Sequence, residues 1–346
     1  MITPPNSLSD WIINAGADHH CVGEAKTSQT VITRCYGAKV PDMCYLTSLR
    51  SHFFDYPAEE LGNQTWHGLA LVLFGKLASL YGLDRLSLVA NEPVSTNLRT
   101  EQDKKLIPER VVHELHTCPN HFVGVRNIIC PDDNELHDAL SAKGFTMIPT
   151  RVVYMFDARS GVLSRSSHLQ RDRKNLAKSG IEVKIEASMS IDEFSHIHQL
   201  YKDIYIQKHS RMNADYTLKF FQDMRANPYT QYLRLYDKGH LVAFSLLYQK
   251  SQNLIIPAVG HKSDTENKGY YRALFAAIAN YVESNCLYLN YSSGAGDFKR
   301  KRGGVPVLEY TALHAPFNSR LKQKVMRYIG KKAKSLTLDH MIAFGA

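Results

Sequence analysis

Residues 254–310 read LIIPAVGHKSDTENKGYYRALFAAIANYVESNCLYLNYSSGAGDFKRKRGGVPVLEY. Residues 253–260 have the apolar run of a buried strand. Residues 268–285 then place Tyr271, Leu274, Phe275, Ile278 and Val282 on one face of a helix. Residues 286–291 give a second strand. A glycine/serine turn, Ser292 to Gly296, and a basic loop, Phe298 to Gly304, lead into a last strand carrying Glu309 and Tyr310. A strand that feeds a helix beginning at Lys268 and Gly269 presents unpaired backbone N–H groups and a positive dipole end, a combination suited to phosphate. Lys268, Gly269, Tyr270 and Arg272 are therefore candidate anion-binding residues. Lys299, Arg300 and Arg302 lie in a loop bracketed by Gly294, Gly296, Gly303 and Gly304, where guanidinium groups could clamp phosphates bidentately.

Upstream, residues 232–236 and 240–248 read as an antiparallel pair joined by a three-residue Asp237-Lys238-Gly239 turn. Helices are expected over 164–179, which is rich in Arg and Lys, over 191–206 with Phe194, Ile197, Tyr201 and Ile204 inward, and over 216–225. Residues 151–157 and 182–186 read as strands. In the first half, strands are expected over 30–36, 83–90 and 122–128. Helices are expected over 66–80, 109–116 and 134–143, the last stopped by Gly144. Trp66, Leu69, Ala70, Leu73, Leu77 and Leu80 fall in register as the apolar face of the 66–80 helix. The βαβα order recurs loosely in the second half. The fold class is thus α/β (α+β), with two copies of one module over residues 1–150 and 151–346. The length of 346 residues exceeds the usual single domain.

Hydrophobic content of 44% is ample for packed cores. The first residues show no basic and apolar export pattern, and no apolar run is long enough to span a bilayer, so a soluble, cytoplasmic chain is expected. Six scattered cysteines without a C-x-x-C pair predict reduced thiols and no metal site. The charge is local. Residues 298–334 hold eleven Lys/Arg against Glu309, a net of +10, while the whole chain carries +9. Such a segment is the footprint of a polyanion such as tRNA, a nucleotide or an acidic lipid surface. It is equally that of a solvated terminal helix over 320–334 with Leu321, Val325, Tyr328 and Ile329 inward.

The run YYRALFAAIANYVES, with LNYSSGAGDFKRKRGGVPVLEY after it, resembles the C-terminal half of the GNAT acyltransferase superfamily, and most closely its double-GNAT, FemAB-like branch. SSHLQRDRKNLAKSG, residues 166–180, is similar to the basic helix that opens the second module of that group. The resemblance implies two tandem GNAT-like modules, each a mixed central sheet flanked by helices. It also implies attack of an amine on an activated acyl carbonyl. The acyl-CoA signature of the superfamily resembles Arg/Gln-x-x-Gly-x-Gly/Ala. Set on Gly269, it meets Glu266 where Arg or Gln would stand and bulky Tyr271 where the small residue would stand.

That reaction needs a proton acceptor for the ammonium, donors for the oxyanion and a slot for the anionic carrier. Glu309, His209 and His261 are candidate acceptors, and Tyr291 and Tyr271 candidate proton donors to the leaving group. Ser95, Thr96, Asn97 and the stretch Arg50-Ser51-His52 are placed at an acceptor cleft between the modules. Three readings stand: an N-acyltransferase using acyl-CoA on a primary amine, a FemAB-like transferase using aminoacyl-tRNA, and a non-catalytic basic binding module. The expected partners are a small-molecule or peptide amine and, through the basic C-terminal segment, tRNA, with no tightly bound cofactor.

Overall fold

The computed structural model describes residues 7–22, 30–37, 40, 42–62, 64–187, 189–263, 269–317 and 319–343, the last twelve by backbone alone. In chain order the first half runs β1 (Asp18–Val22), β2 (Thr30–Tyr36), α1 (Tyr56–Leu61), α2 (Trp66–Leu80), β3 (Arg85–Val89), α3 (Glu101–Thr117), β4 (Phe122–Ile129), α4 (Asn134–Ala142) and β5 (Thr146–Asp157). The second half runs α5 (Val162–Arg165), α6 (Ser167–Lys178), β6 (Glu182–Glu186), α7 (Ile191–Lys202), α8 (Leu218–Arg225), β7 (Thr230–Asp237), β8 (His240–Lys250) and β9 (Asn253–His261). It ends with α9 (Tyr270–Ser284), β10 (Tyr288–Asn290), α10 (Gly296–Arg300), β11 (Val305–His314) and α11 (Arg320–Ala343). Two π-helical turns, Ser51–Asp55 and Asp203–His209, lead into α1 and out of α7.

The described strands form one mixed sheet in the order β1-β2-β3-β4-β11-β5-β10-β9-β8-β7-β6. The β3–β4 and β9–β10 pairs are parallel and the others antiparallel. β11 returns from the C-terminal end of the chain to lie between β4 and β5, so the expected boundary at residue 150 falls inside a strand, β5, held on both sides by C-terminal strands. Helices cover both faces of each half. Of the expected apolar face of α9, Leu274, Phe275, Ile278 and Val282 are buried against β8 and β10 residues such as Leu247 and Leu289.

Several elements depart from the sequence reading for local reasons. The Thr100–Asp103 capping box starts α3 eight residues before the expected helix and carries it through Pro108. Ser166 accepts from the Leu169 N–H and so caps α6, cutting the expected 164–179 helix in two. The hairpin turn has two residues, not three: Asp237 pairs with His240, and Lys238 and Gly239 both take positive φ (51° and 79°), as a type I′ turn requires.

Two helices face the opposite way to that expected. α2 turns Gly68 and Gly75 inward and leaves Trp66, Leu69, Leu73, Phe74, Leu77 and Leu80 exposed. α11 buries Met326 and Gly330 and exposes Leu321, Val325, Tyr328 and Ile329. In both, a glycine permits an approach that a larger side chain would block. A Cβ on Gly68 would lie 2.3 Å from the Gly62 carbonyl oxygen, and one on Gly330 would lie 2.3 Å from Thr146 Cγ2. No helix among the described residues is long and apolar enough to cross a membrane.

Candidate active site

β10 pairs with β9 over three residues only, Asn253 to Ile255, while β9 continues to His261. The two parallel strands therefore part, because the chain after Asn290 turns away into Tyr291–Ala295. A cavity of about 760 Å³ lies beside this fork, with Ile256, Pro257 and Val259 of β9 on one wall and Tyr291 to Ala295 on another. The two π-helical turns close it with His52, Tyr205 and His209, and Tyr45, Tyr201 and Tyr216 add further aromatic wall. Tyr201 stacks on Tyr205 at 4.7 Å and donates its hydroxyl to the Ala214 carbonyl; Tyr216 donates to the Pro93 carbonyl at 2.9 Å. These bonds fix ring positions in an apolar, polar-tipped chamber.

Lys299 holds the turn. Its Nζ donates to the carbonyl oxygens of Tyr291 (2.6 Å), Ser292 (3.2 Å) and Ser293 (2.7 Å). Burial, and then the charge of Arg151, push this amine down to about 7, while three converging carbonyls favour the ammonium. Beneath the turn, Arg151 meets both oxygens of Glu309 at 2.7 and 3.1 Å, and also reaches Ser292 Oγ and the Ser95 carbonyl. Asn127 Nδ2 donates to the same carboxylate at 2.9 Å. One buried ion pair thus joins β5, β11, the 91–100 loop and the cavity turn.

Glu309 was a candidate base, but its two oxygens are taken and it is 1% exposed, so it orients Arg151 and faces no ammonium. Tyr291 and His209 both line the cavity. The Tyr291 hydroxyl is buried and has no hydrogen-bond partner among the described residues, although the Tyr271 hydroxyl is close enough to couple to it. Burial holds its pKa well above the ordinary tyrosine value, and it is therefore a proton donor throughout the physiological range. Burial and Lys208 lower the pKa of His209, which leaves the imidazole neutral at neutral pH.

The phosphate-gripping arrangement is not present as expected. Arg302 is buried against Asp172 of α6 at 2.6 Å and stacks on Phe298, and Arg300 pairs with Asp297. Arg302, buried and held by an acid one helix away, staples the loop and offers no fork to a phosphate, whereas Arg300 pairs at the surface within α10. Tyr270 is buried and donates to Asp237 at 2.8 Å; Gly269 caps α9 at φ +67°; Arg272 is exposed; Lys268 lies outside the described residues. Tyr271 lines the cavity and packs at 4.8 Å on Phe298 and 5.5 Å on His261, so aromatic rings occupy the flank next to the start of α9. His261 itself lines the cavity, as do Ser95 and His52. Thr96 and Asn97 are buried in the network below. Sequence reasoning missed Arg151, Tyr45 and Tyr205: no local pattern marks a π-helical turn, and Arg151 reads as a plain strand residue.

The model of the FemAB-like family, described as peptidoglycan biosynthesis/recognition, matches residues 162–343, more than half of the chain. The chain belongs to the FemAB-like family. No curated protein matches it. Among solved structures, this FemAB-like chain is similar to the C-terminal domain of a putative lysylphosphatidylglycerol synthetase from Agrobacterium fabrum, at 12% identity over 95% of this chain and 89% of that one, with a TM-score of 0.55. It is similar to L-PGS from Bacillus licheniformis at 14% identity, over 94% and 93% of the two chains, with a TM-score of 0.53. FemX matches at 7% identity, over 86% and 88%, with a TM-score of 0.52. These likenesses show that the FemAB-like chain shares the fold of these proteins along nearly its whole length.

Proposed function

We propose that this FemAB-like chain is an acyl- or aminoacyltransferase that forms an amide in the cavity at the β9–β10 fork. The fork is the observation that carries the reading: an aromatic-walled chamber opens where two parallel strands part, with the coupled hydroxyls of Tyr271 and Tyr291 and a neutral imidazole among its lining residues. The amine nitrogen attacks the acyl carbon, forming the C–N bond and an oxyanion. Collapse breaks the bond to the carrier, whose oxygen or sulfur takes up a proton. In this scheme His209 accepts the ammonium proton, and Tyr291 donates to the oxygen that gains charge. Lys299 and Arg151 are positioning residues that hold the Tyr291–Ser293 turn.

Aminoacyl-tRNA fits as carrier better than acyl-CoA. Arg302 is held by Asp172 and Lys299 by the carbonyls of the cavity turn, so neither is free to grip a diphosphate, and Tyr271 stands where a small residue would let backbone amides approach one. Charged and uncharged tRNA, compared by filter binding, test this reading. The charged form is expected to bind more tightly, and acetyl-CoA to give no heat by titration calorimetry at millimolar ligand. Equal binding of the two tRNA forms would overturn the aminoacyl assignment, and heat with acetyl-CoA would restore the thioester donor.

A further inference from the structure

The cavity leaves one large feature unused. α2 presents Trp66, Leu69, Leu73, Phe74, Leu77 and Leu80 to solvent, each at least half exposed and Leu80 86% exposed. Large exposed apolar faces of this kind mark interaction sites. The orientation is fixed by sterics, since the glycine face of α2 fits against Gly62 and Phe54 with no room for a side chain. α11 lies next to it. Lys322 Nζ donates to the carbonyl of Tyr81, the residue that caps α2, and Met326 of α11 packs in the same cluster as Ala78 and Tyr81. The exposed face of α11 interleaves Leu321, Val325, Tyr328 and Ile329 with Arg320, Lys324, Arg327 and Lys331, all exposed.

We propose that the exposed faces of α2 and α11 together dock the protein on an anionic lipid bilayer. The chemistry of this surface separates three occupants. A second copy would bring Arg320, Lys324, Arg327 and Lys331 against themselves or their neighbours with no acid between residues 310 and 338 to answer them. A nucleic acid would answer the cations but leave the Leu, Val and Ile side chains against phosphate and water. A bilayer surface with acidic headgroups takes both: cations remain at the headgroups while Trp and aliphatic side chains enter the acyl boundary. The helices lie on the surface and do not cross it.

The chain carries its own reporter. Of its two tryptophans, Trp11 is 3% exposed and Trp66 is 72% exposed, so an emission change on docking comes from Trp66. The test titrates the full chain with vesicles of phosphatidylcholine alone and with vesicles containing phosphatidylglycerol, reading tryptophan emission and cosedimentation. Partition into the acidic vesicles is expected to be about tenfold stronger or more and to weaken as salt is raised, with a blue-shifted emission. Leu73→Glu/Leu77→Glu, on a solvent-facing surface, is expected to abolish binding with circular dichroism unchanged, and Lys324→Glu/Arg327→Glu to remove the preference for acidic vesicles. Absence of any shift or sedimentation would overturn the proposal, as would vesicle binding that the Leu73/Leu77 variant leaves intact. So would a dimer in solution that this variant dissociates, which would give the face to a second copy. Binding of tRNA lost only in the Lys324/Arg327 variant, without vesicle binding, would give it to RNA.

Discussion

A buried tyrosine hydroxyl with no partner is uncommon, because leaving a donor unsatisfied costs about 1–3 kcal/mol. Tyr291 lines the chamber, and its buried hydroxyl makes no well-formed bond among the described residues, with the Tyr271 hydroxyl beside it as its polar neighbour. Tyr291→Phe is expected to lower kcat/KM about 100-fold while leaving the melting temperature within a few degrees, measured by steady-state transfer and thermal unfolding. If His209 takes the proton, activity falls as pH drops through a value below the ordinary 6.5, since only the neutral imidazole accepts; His209→Asn removes that acid limb. Glu309 behaves differently. Glu309→Ala strands the Arg151 guanidinium and is expected to cost about 3–5 kcal/mol in urea denaturation, and Glu309→Ala/Arg151→Met to cost less than the single change. The sequence offered Glu309, Tyr291 and His209 as reactive groups on equal terms. It could not rank them, because the partner of Glu309 stands 158 positions earlier in the chain.

Helix α2 shows what periodicity reads well and what it does not. The bounds, 66–80, follow directly from the pattern, yet the leucine stripe faces water because the glycines at 68 and 75 allow the closer packing on α1 and the preceding turn. Alanine normally stabilises a helix interior relative to glycine by up to about 1 kcal/mol. At position 68 the sign reverses: Gly68→Ala is expected to destabilise by about 1–3 kcal/mol, because its methyl would meet the Gly62 carbonyl. A stabilising result in chemical denaturation would contradict the packing described. The basic loop was misread for a related reason. Its arginines are locally indistinguishable from a phosphate clamp, and Asp172, which neutralises Arg302, belongs to a helix 130 positions away. The strands fared better: β2 and β6 match the expected strands residue for residue, while β1, short and largely exposed, carries no strand signal.

At the scale of the molecule, we propose that the chain is two modules, 1–150 and 151–346, locked together along β5 by the C-terminal strand β11, which pairs with β4 and β5 at once. The cavity draws its walls from both halves. Four buried or half-buried histidines, His52, His121, His198 and His314, have pKa values pushed below 6.5, in each case by burial first. Their unfolded counterparts take up protons below pH 6.5 that the folded chain refuses. Stability is therefore full above that pH and is lost as pH falls below it, which a series of urea midpoints between pH 8 and 5 would register. The most direct test of the reading of the cavity is transfer itself. The protein is incubated with tRNA charged with a radiolabelled amino acid and a mixture of amine and peptide acceptors, then treated with mild alkali, which cleaves esters and spares amides. The account predicts alkali-stable label that the wild type forms and Tyr291→Phe forms about 100-fold more slowly; label released entirely by alkali, at the spontaneous rate, in both proteins would contradict it.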